Sequence, residues 1–438
     1  METDKTTLAD LEIFNREDEL SVFNKINFTL TSRGKEQLHK NLSVPLTDLT
    51  AIKNVQQIIL LIKKSKLKWP VTISNGTVMV VESFYETTFD PIPAKPNALS
   101  TLSYKLLHNH DFTLLKYSVR HCFDFIKGMQ HAVLIFSTDE IPLPLKKLLE
   151  EASRMLDKPH IRIIKETKNA ADLTASQIIR VGHFLRYAYK GNMRDLLAIF
   201  GKLDAWYGMA MAMDNYNLAM PEFTDTDEPL FEADDLYHMM LPDPVSYSIA
   251  LNSKRNFLFL TGANMAGKST FIKACGIACY MAHTGMGVPA KKMRLSYFEG
   301  LLSNINVIDN IAKGESYFFN EVQRIKATVQ KVSNRQKWFI LIDELFKGTN
   351  VQDAMKCSSA VIEGLLKINK SLFILSTHLY EIGEELKTHP NIAFSYFETS
   401  AKDGQLSFSY QLKEGISNDR LGYLILQKEG VVKMLEDL

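Results

Sequence analysis

The stretch that decides the fold is Phe257-Leu258-Phe259-Leu260-Thr261-Gly262-Ala263-Asn264-Met265-Ala266-Gly267-Lys268-Ser269-Thr270. It begins with a continuous apolar run, which is typical of a strand buried on both faces of a parallel sheet. A loop bounded by two glycines follows, and the residues after it have the pattern of a helix. This strand–loop–helix order matches Gly-x-x-x-x-Gly-Lys-Ser/Thr, the pattern of a phosphate-binding loop.

The chemistry of phosphate binding explains why these residue types occur at this spacing. Gly262 and Gly267 allow the backbone to wrap closely around a phosphate with its N–H groups pointing inward. The helix that follows presents its positive N-terminal end to the same group. We expect Lys268 to reach the β- and γ-phosphate oxygens and Ser269 to ligate Mg²⁺. The sequence therefore predicts ATP and Mg²⁺ as ligands. The predicted nucleotide-binding residues are Gly262, Ala263, Asn264, Met265, Ala266, Gly267, Lys268, Ser269 and Thr270.

Polar side chains also follow two further apolar runs. Residues 338–342 are followed by Asp343 and Glu344, and residues 372–375 are followed closely by His378. Because the carboxyl ends of parallel strands meet at one edge of a sheet, we expect these side chains to lie beside the loop. Asp343 would hold Mg²⁺, Glu344 would polarise the attacking water, and His378 would contact that water or the γ-phosphate. The alternatives are a solvent-facing acidic pair and a histidine that is merely hydrogen-bonded at a strand end.

The pattern of the chain changes near residue 240. Residues 1–237 are predicted to be mainly helical, with apolar positions at helical spacing in Ala51–Lys68 and Arg180–Asp214. Residues 238–438 alternate short apolar runs with helical stretches, which favours an α/β domain with a mostly parallel sheet. We therefore expect an all-α domain followed by an α/β domain.

Composition excludes some classes of protein and leaves others open. Lysine and arginine number 51 and aspartate and glutamate 50, so the net charge of +1 argues neither for nor against a nucleic-acid partner. Four cysteines in 438 residues do not make a disulfide framework. The start of the chain has no signal-peptide core, and no apolar run approaches the roughly 20 residues of a membrane helix. We expect a cytoplasmic protein without a membrane partner.

The loop and several later motifs resemble the ATPase domain of the MutS family of DNA mismatch-repair proteins. Thr261–Thr270 is similar to that family's T-G-P-N-M-G-G-K-S-T loop, in which the Asn-Met pair is diagnostic. The other matching stretches are Gly285-x-x-Val288-Pro289-Ala290, Asp309-Asn310-Ile311, Gly314-Glu315-Ser316-Tyr317-Phe318-x-x-Glu321, Asp343-Glu344-Leu345-Phe346-Lys347-Gly348-Thr349 and Ser376-Thr377-His378.

The resemblance implies an architecture and a catalytic arrangement. Residues 1–237 would be a MutS-type core and lever domain, and residues 238–438 an ABC-like P-loop ATPase domain that carries a dimer interface. Ser316 occupies the position of the family's serine that reaches the γ-phosphate bound by the partner subunit. The resemblance therefore implies a homodimer with two composite ATP sites, with Glu344 and His378 acting in one subunit and Ser316 in trans.

Parts of the chain depart from the family pattern. Val245-Ser246-Tyr247 stands where the family often has an adenine-packing segment. The chain starts at the core domain, so we expect no domain that inserts a wedge at a mismatch. The segment between Asp90 and Gln177 looks too short for both lever helices and a DNA clamp. Mismatch recognition is therefore not expected to transfer.

Three hypotheses follow. The first is an ATP-hydrolysing, dimerisation-dependent DNA-binding protein of the mismatch-repair or recombination type, without the wedge domain. The second is an ATP-switched scaffold or disassembly factor that acts on a protein or ribonucleoprotein partner. The third is a phosphotransferase that uses the same loop on a small molecule.

Overall fold

The computed structural model describes residues 1–14, 21–136, 140–306, 317–402, 405–417, 426–427 and 430–436. Its internal contacts group the chain into two units. The sheet unit comprises Met1–Lys25, Val44–Ile52 and Asn215–Leu438. The helical unit comprises Ile26–Ser43 and Lys53–Asp214.

The first half of the chain is almost entirely helical, as the apolar spacing predicts. Short 3-10 helices cover Lys66–Lys68, Pro159–Ile161 and Ala170–Asp172. The α-helices are α1 (Lys5–Asp10), α2 (Val22–Ile26), α3 (Ser32–Ser43), α4 (Leu49–Lys64), α5 (Asn75–Glu86), α6 (Ala98–Leu107), α7 (Asn109–Ile135), α8 (Leu143–Leu156), α9 (Arg162–Glu166), α10 (Ala175–His183) and α11 (Lys190–Asn215).

The periodic stretch 180–214 is interrupted once. A π-helical segment, Phe184–Ala188, joins the end of α10 to the approach to α11. The α11 helix is anchored by Asp204, which is 0% exposed and accepts hydrogen bonds from the backbone N–H groups of Leu30 and Thr31. Its carboxylate lies so close to Gly34 that a Cβ at that position would be 2.0 Å from Asp204 Oδ2. Glycine is therefore required there by close packing.

The second half alternates strands and helices. The helices are α12 (Lys268–His283), α13 (Tyr317–Val332), α14 (Val351–Leu365), α15 (Tyr380–Leu386) and α16 (Val431–Glu436). The strands are β1 (Glu222–Thr224), β2 (Leu230–Leu236), β3 (Tyr247–Asn252), β4 (Phe257–Thr261), β5 (Lys292–Ser296), β6 (Gly300–Asn304), β7 (Trp338–Asp343), β8 (Leu372–Ser376), β9 (Ile392–Lys402) and β10 (Gln405–Glu414).

The strands form two sheets. The larger has the order β10-β9-β4-β8-β7-β6, in which every neighbouring pair is parallel except the antiparallel pair β9 and β10. The smaller has the order β1-β5-β2-β3. Every residue of β4, β7 and β8 is buried, which explains their continuous apolar sequences. The predicted combination of a helical region with a later α/β region is confirmed.

The predicted boundary between residues 237 and 238 falls inside the sheet unit. Strands β1 and β2 precede that boundary, yet β2 pairs with β3 on its other side, for example through Phe231 and Leu251. These short strands were included in the helical prediction because three to seven residues give little periodic pattern.

The first fourteen residues also belong to the sheet unit. Glu2 forms a parallel bridge to Gly300 on β6, which is an edge strand of the larger sheet. Asp10 is 2% exposed and its carboxylate accepts from Ser303 Oγ, from the Ile305 N–H at 3.0 Å and from the Asn306 N–H at 3.1 Å. The N-terminal segment therefore covers the edge of β6 and fixes the chain where that strand ends.

Two further observations bear on the protein class. All four cysteines carry free thiols. Among the helices of the described residues, none is both long enough and apolar enough to cross a membrane.

The Asp10 network predicts a stability effect. Asp10→Ala leaves three donors without their acceptor, so the free energy of unfolding should fall by about 2–4 kcal/mol. Denaturant unfolding followed by the fluorescence of buried Trp338 measures this change. Glu363→Ala, on the exposed side of α14, is the matched control and should change stability by less than about 0.5 kcal/mol. An Asp10→Ala protein as stable as the control would contradict the anchoring role.

Candidate functional site

The loop between β4 and α12 has the backbone shape that its glycines predict. Gly262 has φ 139° and Gly267 has φ 110°, both in a region that L side chains rarely adopt. Gly267 is also the N-cap of α12, so the helix begins directly at the loop. The loop amides and the N-terminal end of α12 thus lie together, which is the electrostatic arrangement that favours an anion.

Lys268 is drawn into this loop rather than exposed to solvent. Its side chain is 5% exposed, and its ammonium donates to the carbonyl oxygens of Gly262 at 2.7 Å and Ala263 at 3.0 Å. Burial lowers the pKa of Lys268, and the nearby carboxylates of Glu344 and Asp343 oppose that shift. The cation is therefore held inside the curve of the loop with acidic groups close by.

Asp343 joins the loop helix to two neighbouring strands. It ends β7, is 6% exposed, and accepts hydrogen bonds from the Ser269 hydroxyl through Oδ2 and from the Ser376 hydroxyl through Oδ1. The pairing of Asp343 with Ser376 in the β7–β8 register places all these oxygens at one edge of the sheet. A carboxylate beside a hydroxyl is the donor set that Mg²⁺ prefers in phosphate sites.

The residues present fit Mg²⁺ as a partner of a bound phosphate, not as an ion in a protein cage. Within the described parts of the chain, no group of three or more His, Cys, Asp or Glu side chains could hold a metal. Mg²⁺ usually binds one or two protein oxygens, substrate phosphates and water. Ser269 and Asp343 meet that requirement.

Glu344 follows Asp343 in a left-handed conformation, with φ 64°. One carboxylate oxygen lies 3.4 Å from Lys347 Nζ and 3.7 Å from His378 Nδ1. The His378 imidazole is the main cause that lowers the pKa of Glu344 to about 2, with further help from Lys347 and Lys268 and against the effect of burial. Glu344 is therefore a carboxylate at neutral pH, able to accept a hydrogen bond from water.

A cleft of about 470 Å³ opens beside the loop. Its lining includes the polar side chains of Lys268, Ser269 and Glu344. Tyr410 also lines it, has φ 53°, and lies in the interval between Phe408 and Leu412 where the β9–β10 register shifts. The lining residues that precede the loop in the sequence are mostly apolar: Leu241, Pro242, Asp243, Val245 and Tyr247.

Most of the predicted site residues come together in this cleft and at its edge. The loop residues, Asp343, Glu344 and His378 all lie at the carboxyl ends of β4, β7 and β8. Ser316 lies outside the described residues. Residues 245–247 depart from the family pattern in the sequence, whereas no sequence pattern indicates Tyr410, whose place depends on an irregularity in the β9–β10 hairpin. The chemical roles assigned to the site residues stay predictions.

The comparisons with known proteins agree with this geometry. Residues 258–435 match the family model described as MutS domain V. This C-terminal portion is similar to MutS domain V, and the similarity supports membership of the MutS family. The matched range contains the loop, both strand-end carboxylates and His378, so the site lies within the MutS domain V match.

Curated relatives extend the resemblance. A DNA mismatch repair protein MutS from Persephonella marina is 30% identical over 243 residues, covering 54% of this chain and 27% of that protein. The Streptococcus suis MutS protein is 26% identical over 253 residues, covering 56% and 29%. The Staphylococcus haemolyticus MutS protein is 25% identical over 371 residues, covering 81% and 41%. The last match necessarily includes part of the helical unit. The chain spans less than half the length of these MutS relatives.

The contact between His378 and Glu344 predicts a titration shift in this site. His378→Gln removes the largest cause of the low Glu344 pKa, so that pKa should rise from about 2 towards its usual value of 4.5. Carboxyl ¹³C chemical shifts followed against pH measure it. Because the folded state favours the ionised form, Glu344 contributes stability above its usual pKa and loses it as the pH falls towards 2. In His378→Gln this loss of stability should occur over a narrower pH range, because the pKa of Glu344 in the folded state lies closer to 4.5.

Lys387→Gln is the matched control for this titration, because Lys387 forms an exposed ion pair with Glu384 instead. The control should leave the Glu344 pKa unchanged. A Glu344 pKa that stays near 2 in His378→Gln would show that the imidazole is not the cause.

Proposed function

We propose that the sheet unit is a P-loop ATPase domain of ABC-like type that binds and hydrolyses Mg²⁺–ATP. The observation that supports it best is the meeting of three groups at one sheet edge: the 262–269 loop, the Asp343 carboxylate and the Glu344 carboxylate. MutS domain V similarity over residues 258–435 supports the same proposal.

Each site residue has a proposed role. The loop amides and the Lys268 ammonium bind the phosphates, and Ser269 with Asp343 holds Mg²⁺. The bound Mg²⁺ would supply positive charge that stabilises the transferring phosphoryl group. Glu344 accepts a hydrogen bond from the attacking water and orients it. His378, whose Nδ1 lies 3.7 Å from the Glu344 carboxylate, is proposed to contact the attacking water or the γ-phosphate.

We propose water as the acceptor and Glu344 as the carboxylate that orients it. A carboxylate with a pKa of about 2 is a weak base at neutral pH, but it remains a full negative charge that accepts a hydrogen bond. Such a group suits a phosphoryl transfer in which positioning and electrostatics dominate. Phosphate release without any added acceptor would favour hydrolysis over the phosphotransferase hypothesis.

The mostly apolar lining formed by residues 241–247 is proposed to receive the nucleotide base. Tyr247 is 6% exposed and packs edge-on against Phe271 of α12 at 5.3 Å between ring centroids, so its ring is held in place. Tyr410 is 41% exposed and reaches the same cleft from the hairpin side. An aromatic ring beside an apolar wall provides the stacking surface that a purine uses.

We further propose that the protein works as a homodimer. Ser316 would reach the γ-phosphate in the partner's site, as the family resemblance implies. The helical part of the chain, residues 1–237 in the sequence prediction, would serve as the core and lever region that changes its grip on DNA when the dimer closes. The cytoplasmic location also stays a proposal.

DNA is the proposed macromolecular partner. The relatives reported above are named DNA mismatch repair proteins, and none of these names points to a ribonucleoprotein partner. Since the chain matches less than half of each relative, the proposal is limited to ATP-dependent DNA binding of the mismatch-repair or recombination type. It includes no recognition of mismatches.

The ATPase proposal predicts separate effects of two substitutions. Lys268→Ala should weaken ATP binding by about 100-fold or more, because a charge-assisted contact to phosphate is lost. Glu344→Gln should bind ATP within about threefold of wild type while turnover falls by about 100-fold or more. Fluorescent-nucleotide titration and phosphate release measure the two quantities. ATP-loaded Glu344→Gln should elute as a dimer.

The control for both substitutions is Glu363→Ala, which should bind and turn over ATP as wild type does. Wild-type turnover in Glu344→Gln would refute the assigned water-orienting role. A Glu344→Gln protein that stays monomeric with saturating ATP would refute the composite site.

The DNA proposal predicts salt-sensitive binding. Affinity for duplex, branched or mismatched DNA should fall linearly on a log–log plot of binding constant against salt concentration, because contacts to phosphates release counterions. Fluorescence anisotropy at several salt concentrations, with and without ATP, measures this. In Lys268→Ala the DNA affinity should no longer change when ATP is added. The slope of the binding constant against salt concentration should stay as in wild type. Absence of binding to every DNA at low salt would refute the proposal.

A further inference from the structure

A second buried carboxylate lies next to the turn that follows β7, residues 344–348. Glu321 belongs to α13, is 5% exposed, and its two oxygens accept hydrogen bonds from separate backbone N–H groups. The donors are Lys347 at 3.0 Å and Gly348 at 3.2 Å. The Glu321 side chain therefore binds the backbone of the turn that begins at Glu344.

That turn has an unusual backbone. Glu344 has φ 64° and Phe346 has φ 57°, so two non-glycine residues in three adopt the left-handed region. The left-handed region is strained for residues other than glycine, and the conformation persists only where surrounding contacts fix it. The Glu344 N–H donates to the Ser376 carbonyl at 3.0 Å, which holds one end of the turn. Glu321 holds the other end.

Packing from the first turn of α13 adds to this restraint. The rings of Phe318 and Phe346 lie 5.7 Å apart between centroids. A Cβ at Gly348 would be 2.8 Å from the backbone nitrogen of Phe318, so the two backbones approach as closely as glycine allows. Helix α13 and the turn 344–348 thus behave as one packed element, with the Glu321 carboxylate as its polar link.

We propose that Glu321 is a positioning residue for ATP hydrolysis: its carboxylate fixes the 344–348 turn so that Glu344 faces the phosphate loop. The proposal rests on the ATPase function proposed above. Glu321 is not among the residues that line the cleft. It would act only through the backbone of Lys347 and Gly348.

This arrangement gives α13 a mechanical connection to the site. Ser316 immediately precedes Tyr317, the first residue of α13, and Glu321 follows one helical turn later. A displacement of α13 along its axis would move the Glu321 carboxylate and, with it, the two backbone N–H groups that donate to it. The movement would then reach Glu344 through the backbone of the turn. The geometry therefore makes turnover sensitive to the position of this helix.

Two variants test the proposal, with Gln323→Ala as the matched control on an exposed position of the same helix. Glu321→Gln keeps the size of the side chain but turns one acceptor into a donor that faces an N–H group. Glu321→Ala removes both acceptors. In the nucleotide-free protein, amide hydrogen exchange of Lys347 and Gly348 should become at least about tenfold faster in both variants. It should not change in the control.

Turnover provides the functional measurement. Glu321→Gln should lower kcat about tenfold, with the KM for ATP and the nucleotide Kd within about twofold of wild type, because the loop and Lys268 are untouched. In the double variant Glu321→Gln/Glu344→Gln, kcat should be no lower than in Glu344→Gln alone. The reason is that the residue positioned by Glu321 is already inactive there. A general folding defect would instead lower nucleotide binding and add to the Glu344→Gln effect.

The outcomes separate this proposal from the ATPase proposal. Unchanged exchange at Lys347 and Gly348 overturns the positioning role whether or not the protein hydrolyses ATP. Wild-type kcat in Glu321→Gln, or a loss that appears mainly in the nucleotide Kd, also overturns it. A wild-type protein that binds ATP without turnover refutes the hydrolysis proposal and leaves the exchange result to decide the role of Glu321 in holding the turn.

Discussion

The hydrogen bonds of the Asp343 carboxylate are the constraint on which the candidate site depends. One oxygen accepts from Ser269, at the start of the loop helix, and the other from Ser376, at the end of the adjacent strand. A carboxylate this buried is tolerated only where polar partners satisfy it. Its two hydroxyl partners therefore set the relative positions of the loop, β7 and β8, and any ligand that meets Ser269 must also meet Asp343.

Opposite charges are concentrated around this point. Lys268 is buried on the inner side of the loop, and His378 and Lys347 lower the pKa of the Glu344 carboxylate. In a partly desolvated cleft these charges act over short distances with little screening. The loop side of the cleft is suited to an anion, while the Glu344 side is suited to a hydrogen-bond donor such as water. This separation within one cleft is compatible with the proposed hydrolysis of a bound phosphate.

The sequence predicted this edge of the sheet better than it predicted the rest of the unit. The 262–269 loop, Asp343 and Glu344 were found because buried parallel strands have continuous apolar sequences and their polar residues follow at the strand ends. The Asp10 network, by contrast, joins residues almost 300 positions apart, and no local pattern encodes such a contact. Strands β1 and β2 were missed because they are short and lie after a long helical region.

Tyr410 and Glu321 illustrate two other limits of sequence reasoning. The position of Tyr410 depends on a register shift between β9 and β10, and alternating polarity cannot reveal such a shift. Glu321 was visible as part of a motif, but its partners are backbone N–H groups, which carry no sequence signature. The motif therefore indicated that the residue matters without indicating what it contacts.

Helix α13 connects these separate observations. Glu321 holds the turn of Glu344, and Arg324, almost one helical turn later, donates to Asp4 at 2.6 Å and to the Ser303 carbonyl at 2.6 Å. The same helix thus contacts the N-terminal segment through Arg324 and the 344–348 turn through Glu321. Because the Arg324 contacts lie within the sheet unit and are only partly exposed, they resist independent movement of the helix. A displacement of α13 large enough to move Glu321 would therefore either break the Arg324–Asp4 contact or move Asp4 as well. The N-terminal segment thus restrains the position of Glu344 through α13.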